Sequence, residues 1–122
     1  MPSISFDIEG MNALNGDINM LGVYHALGVR QMLFAYNLNN EAAGGCHDSD
    51  MGLTDFGRAI VREMNRLGMI VDCSHAAYQT TMDIMAESSA PVVFSHSNPT
   101  GFVTMNAIFE TIRSRLAPKP AA

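Results

Sequence analysis

Basic side chains are scarce in this sequence. Its 122 residues carry seven Lys and Arg against twelve Asp and Glu, a formal net charge of −5. A nucleic-acid partner requires a basic patch that releases counterions from phosphates, so the charge balance argues against that class. Three of the few cations, Arg58, Arg62 and Arg66, fall on one face of a single predicted helix. Cysteine is equally sparse. Cys46 and Cys73 are the two present; they make no disulfide framework, and reduced thiols are expected. No apolar run approaches the about 20 residues that span a bilayer. The opening Met1-Pro2-Ser3-Ile4-Ser5 lacks the basic and then apolar pattern of a secretory leader. A cytoplasmic chain without a membrane segment is therefore the expectation. Internal repeats are absent, and no glycine-rich phosphate loop follows a strand, which weakens a nucleotide-binding reading.

What is present is a mostly apolar chain, 48% hydrophobic, in which strand and helix patterns alternate. Its ten Met residues are scattered, and read as pliable core filler rather than as a soft-metal site. Ser3 to Ile8 reads as a strand. Asp17 is a candidate N-cap for a helix whose stripe is Ile18, Leu21, Tyr24 and Leu27, closed by Gly28. Gln31 to Ala35 reads as a second strand, followed by a long polar loop over 36–53. Thr54 then predicts a helix start, with Asp55 at the positive end of the dipole. Phe56, Ala59, Ile60, Met64 and Leu67 line one face of that helix, and Gly68 ends it. Met69 to Cys73 is a third strand, and Tyr78, Met82 and Met85 mark a third helix. Val92, Val93 and Phe94 form the short continuous run of a parallel strand covered on both faces. A fourth helix is expected over Phe102 to Leu116, with a loose tail at 118–122 beyond a domain of 1–117. Four βα units of this kind build either an open doubly wound sheet or part of a (β/α)8 barrel.

In both architectures functional groups gather at the carboxyl ends of the strands. Glu9 follows Ser5-Phe6-Asp7-Ile8, His75 follows Ile70-Val71-Asp72-Cys73-Ser74, and His96 follows Val92-Val93-Phe94-Ser95. The two histidines share a local pattern of apolar strand and then Ser-His, and lie 21 residues apart, the length of one βα unit. Neighbouring strands would let both imidazoles converge. A carboxylate with two imidazoles is a ligand set for Zn²⁺ that leaves a position open for water. The alternative for each histidine is a hydrogen-bonded structural role. Asp72 either orients the strand-end loop or satisfies local backbone, and the second role is the one preferred. Cys73 alternates to the opposite face from Asp72 and Ser74, which suits a buried inert thiol. His25 and His47 are expected in solvent. The loop from Asn37 to Met51 is long for a βα connection, as a wall of a substrate site would be.

Several spaced tracts together resemble one family. Gly52-Leu53-Thr54-Asp55-Phe56-Gly57-Arg58, then Glu63-Met64-Asn65-Arg66-Leu67-Gly68-Met69-Ile70-Val71-Asp72-Cys73-Ser74-His75, and Ala90-Pro91-Val92-Val93-Phe94-Ser95-His96-Ser97-Asn98 are similar to the membrane (renal-type) dipeptidases, peptidase family M19. Ile8-Glu9-Gly10 and Ala26-Leu27-Gly28-Val29-Arg30 fit in the same order, so the likeness runs from about Ile4 to about Gly101 and looks like an internal part of a bacterial member. The resemblance implies a metal-dependent hydrolase on a partial (β/α)8 TIM barrel, here of about four βα units. It also implies two zinc ions per site, with a metal-activated water that cleaves dipeptides. Glu9 matches the bridging carboxylate, and His75 and His96 match two metal ligands. Tyr36 stands where vertebrate members place a substrate-contacting histidine; Tyr36-Asn37 is similar to the bacterial branch.

Departures from the family pattern are equally specific. No His-x-Asp pair is present at an early strand end; His47-Asp48-Ser49-Asp50 has the wrong spacing. The register of a substrate-binding arginine falls on Ala107, and the late strand with its Asp is missing. One retained zinc and impaired hydrolysis are therefore expected. A non-catalytic, metal-binding chain that completes another chain's barrel, or pairs with a copy of itself, is the alternative.

Overall fold

The computed structural model describes residues 2–97. The helix predicted over Phe102 to Leu116, the tail at 118–122 and Ala107 lie outside them. Four strands, β1 (Phe6–Glu9), β2 (Val29–Leu33), β3 (Ile70–Asp72) and β4 (Val92–Val93), form one sheet. Three α-helices connect them in turn: α1 (Met20–Ala26), α2 (Asp55–Leu67) and α3 (Tyr78–Glu87). Every strand pair is parallel, and the spatial order is the chain order, β1-β2-β3-β4. A doubly wound sheet reverses its order at a switch point, whereas a barrel advances in one direction. Among the described residues no reversal occurs, which is the order of a barrel segment.

The register divides the sheet into two chemically distinct faces. Ile8, Met32, Val71 and Val92 alternate onto one face, and all belong to or pack against the buried cluster that contains Leu21, Ile60, Val61, Met64 and Ile84. That cluster lies between the sheet and the helices. Helix α2 touches both α1 and α3, so the helices form one layer. The opposite face carries Asp7, Glu9, Gln31, Leu33 and Asp72, paired across strands as Asp7 with Gln31, Glu9 with Leu33 and Leu33 with Asp72.

Helix α2 forms where local signals agree. The Thr54 hydroxyl accepts from Gly57 N, and Gly68 at φ 75° closes the helix. Thr54 also donates to the Glu41 carbonyl at 2.6 Å, which ties the helix start to the preceding loop. Arg62 reaches Glu87 of α3 at 2.6 Å, whereas Arg66 pairs with Glu63 of its own helix. Arg58 also faces α3, 3.8 Å from Asp83 and from Glu87, so two of the three arginines join the helices.

Other elements depart from the sequence expectation. β1 starts at Phe6 rather than Ser3, because β2 offers partners only from Val29 onward, with Phe6 N bonded to Gly28 O. β2 ends at Leu33, although Phe34 and Ala35 stay buried. α1 starts after Asn19. Asp17 is spent on accepting from Asn19 N, and Leu27 is exposed. A single 3-10 turn over Met11–Leu14, unforeseen in the sequence, buries Met11 and Leu14. The inward face of α3 is Thr80, Thr81, Ile84 and Met85, and Tyr78 is exposed. Threonine can be buried there because its hydroxyl finds partners: Thr80 donates to Met51 O and accepts from Gly44 N, and Thr81 donates to Ala77 O. Val92 and Val93 are only half-buried, not covered on both faces, since among the described residues β4 pairs with β3 alone. Also among the described residues, no helix is long and apolar enough to cross a membrane.

Thr54→Ala removes the cap and the tether together. The expected loss is about 1–2 kcal/mol, read by urea unfolding, with Thr54→Ser retaining most of it. Equal stability of all three proteins would contradict this role.

Candidate metal centre

One cross-strand row sets the site. Glu9, Leu33, Asp72 and Val93 are paired in sequence across the four strands. Tyr36, His75 and His96 each follow a member of that row by three residues, so they rise above the same edge of the sheet. Tyr36 stacks on His75 with ring centroids 4.3 Å apart, and His75 meets His96 edge-on at 4.8 Å. His96 Nε2 lies 3.4 Å from Glu9 Oε1 and 2.9 Å from His75 Nε2. Glu9, His75 and His96 thus come together as a chain. Among the described residues, no group of three or more His, Cys, Asp and Glu side chains surrounds a common point as a metal site would, because the two rings meet each other and Glu9 reaches only one of them.

The hydrogen bonds behind the rings fix their chemistry. His75 Nδ1 donates to Asn37 Oδ1 at 2.8 Å. His96 Nδ1 lies 2.8 Å from Ser95 Oγ, whose own hydrogen goes to Asp72 Oδ2. Ser95 can therefore only accept from His96. In the neutral rings both hydrogens sit on Nδ1, and two bare Nε2 lone pairs face one another at 2.9 Å. Such a contact is repulsive unless a proton or a cation lies between the nitrogens. Asp7, Glu9 and Asp72 add negative charge on the same face, which also favours a cation. The donor types and their charge suit a divalent cation, although the three side chains do not surround a common point.

Asp72 is the anchor of this region. Its buried carboxylate accepts from Ser74 N at 2.8 Å, Ser74 Oγ at 2.7 Å, Ser95 N at 3.3 Å, Gln31 Nε2 at 3.1 Å and Ser95 Oγ. Burial pushes its pKa up, but hydrogen bonds from Ser95 and Ser74 outweigh this and hold it below the ordinary value. Asp7 shifts the other way: burial raises its pKa, and the Asp72 and Glu9 charges add to the rise. Cys73, on the apolar face, has its thiol pushed up to about 12, first by burial and then by the Asp72 charge. It is an inert core residue.

The loop over 36–53 walls an open cleft of about 1050 Å³, whose lining includes Asn37, Cys46, His47, His75 and His96. The loop is pinned to the turn before α3 by Cys46 N to His75 O at 2.9 Å and Ala77 N to Gly44 O at 2.9 Å. Gly45 lies so close to Asn37 that a Cβ there would meet the Asn37 carbonyl carbon at 2.2 Å. His47 is exposed as expected, whereas His25 is half-buried. Sequence reasoning did not single out Asn37 or Ser95. Both Asn37 and His75 adopt left-handed backbone, at φ 64° and 62°, and Asn is a residue type that tolerates it. The repeated Ser-His was the available signal for Ser95.

The chain is similar to known proteins in sequence and in fold. A family profile described as membrane dipeptidase (peptidase family M19) matches residues 3–107. An uncharacterized dipeptidase of Schizosaccharomyces pombe is 43% identical over 97 residues, covering 77% of this chain and 24% of that protein. Dipeptidase tcpJ of Claviceps purpurea is 42% identical over 93 residues, covering 74% and 22%. A metallo peptidase from Rhodobacter sphaeroides, solved with a phosphinate mimic of the dipeptide L-Ala-D-Ala, superposes with a TM-score of 0.71 at 32% identity, covering 77% and 29%. The chain spans about a quarter of the length of the curated relatives it matches.

The depressed Asp72 pKa makes stability depend on pH in one direction. Its contribution is complete above the unfolded value of 3.8 and is lost as pH falls through it towards the lower folded value. Asp72→Asn lacks that contribution, so its unfolding free energy is lower at neutral pH. The gap to the unsubstituted chain narrows as the solution is acidified. Parallel curves in denaturant titrations over that range would refute the assignment.

Proposed function

The chain belongs to the membrane dipeptidase family, peptidase family M19, and on that premise we propose that Glu9, His75 and His96 hold one zinc ion for the hydrolysis of dipeptides. The observation that carries this reading is the pair of Nε2 lone pairs facing one another at 2.9 Å, with Glu9 alongside. Zinc, when bound, supplies a Lewis acid and a water of lowered pKa. The chain's own residues orient and enclose. Asn37 and Ser95 hold the rings by their Nδ1 atoms. The 36–53 loop forms one wall of the cleft in which a short peptide would lie. Tyr36, half-exposed and stacked on His75, is placed to donate its phenol hydrogen to a substrate oxygen as negative charge develops there.

A second reading is favoured by β1. Ile4 and Phe6 are among the most exposed large apolar side chains, and β1 has no second neighbour among the described residues. An edge of this kind invites another strand. Under this reading the chain pairs with a copy of itself or completes a barrel begun by another chain.

Hydrolysis of L-Ala-D-Ala in the presence of zinc, abolished by a chelator, is the expected result. His75→Ala and His96→Ala each weaken zinc binding by more than about 100-fold, beyond the range for residues that only support a ligand. Zinc retained with unchanged affinity in both variants would remove Glu9, His75 and His96 as the site. Tyr36→Phe keeps zinc and lowers kcat by roughly 100-fold, the scale of one oxyanion donor. For the second reading, sedimentation should show association that rises with protein concentration; a monomer throughout would dismiss pairing of the chain with a copy of itself.

A further inference from the structure

The two histidines are not held in the same way. His75 Nδ1 rests on an amide oxygen, Asn37 Oδ1, which can only accept. His96 Nδ1 rests on a hydroxyl, Ser95 Oγ, which can either accept or donate. A serine alone leaves the tautomer of His96 open: with its hydrogen turned towards the ring, Ser95 would place the ring hydrogen on Nε2 and remove the lone pair that faces His75. Something behind the serine has to decide.

That group is Asp72. Ser95 Oγ donates to Asp72 Oδ2, and Ser74 Oγ donates to Asp72 Oδ1 at 2.7 Å. Both hydroxyl hydrogens are drawn towards one carboxylate, so both serine oxygens present only lone pairs to the next strand end. His96 uses each of them: its backbone N–H donates to Ser74 Oγ at 3.2 Å, and its ring Nδ1–H donates to Ser95 Oγ at 2.8 Å. Gln31 Nε2 supports the carboxylate from the neighbouring strand at 3.1 Å. The orientation of every hydrogen in this set follows from an acceptor that has no hydrogen to give.

We propose that Asp72 is a positioning residue that acts through Ser95 and Ser74 to fix the Nδ1–H tautomer and backbone placement of His96, keeping its Nε2 free for a metal. The purpose of the device rests on the metal reading above, but the device itself is visible without metal. It also separates the roles of the two residue pairs: Asn37 sets His75, and Asp72 with its serines sets His96. In Asp72→Asn the amide can donate to one serine, which frees that hydroxyl to donate to the ring and favours hydrogen on Nε2 of His96.

Long-range proton–nitrogen NMR of the histidine rings in the full 122-residue chain, in chelator and under alkaline conditions, reads the tautomers directly. The unsubstituted chain should show Nδ1–H on both His75 and His96. Asp72→Asn should move His96 towards Nε2–H and leave His75 unchanged. Should Asp72→Asn not fold, Ser95→Ala tests the same relay: His96 loses its fixed tautomer, and Ser95→Thr, which keeps the hydroxyl, restores it. Zinc competition with a chromophoric chelator should then show affinity weakened by about 10- to 100-fold in Asp72→Asn and Ser95→Ala, with recovery in Ser95→Thr. An unchanged His96 tautomer in the folded variants, or an equal change at both histidines, overturns the proposal. If no form of the chain binds zinc, the metal reading fails by itself, and the tautomer result still decides the role of Asp72.

Discussion

One buried carboxylate organises the functional end of this sheet. Asp72 gathers donors from β2, from its own strand end and from the end of β4, five in all. An isolated ionised carboxyl with no surface exposure would be costly to bury. Here each donor that offsets the cost is also a part of the site. Ser74 and Ser95 precede the two histidines directly, so satisfying the carboxylate and placing the imidazoles are a single structural event. Charge-assisted bonds are the stronger kind, which suits a cluster at the half-exposed edge of a sheet.

The division of the sheet into two faces explains why stability and chemistry do not compete. Met32, Val71 and Cys73 turn towards the helices and carry the apolar core. Asp7, Glu9, Gln31 and Asp72 turn the other way and carry the polar and charged groups. Period-two alternation gives each strand both jobs at once. The same alternation isolates the Cys73 thiol, although it lies between Asp72 and Ser74 in the chain, and burial keeps it protonated.

What could be read from the chain followed the range of the interaction involved. Thr54 and Gly68 bound α2 through contacts made within a few residues, and both ends were legible. Glu9, His75 and His96 were legible as a group because strand ends collect polar residues in α/β folds, and the structure brings His96 within contact of the other two. The face of α3 was not legible. Thr80 and Thr81 count as polar until the carbonyls and amide that satisfy them arrive from residues distant in the chain or one turn away. Asn37 and Ser95 were missed for a related reason. Their work depends on cross-strand register and on left-handed backbone, and neither leaves a periodic trace. The parallel order of the strands, which decides between barrel and open sheet, was likewise beyond the local pattern.

The contact between Gly45 and Asn37 ties two parts of the molecule that would otherwise move separately. No side chain fits between them. His47 N also bonds Asn37 O at 2.8 Å, and Asn37 Oδ1 holds the His75 ring. The wall of the cleft and the orientation of an imidazole therefore share one mechanical linkage. A side chain at position 45 would therefore disturb the cleft wall and the support of the His75 ring together.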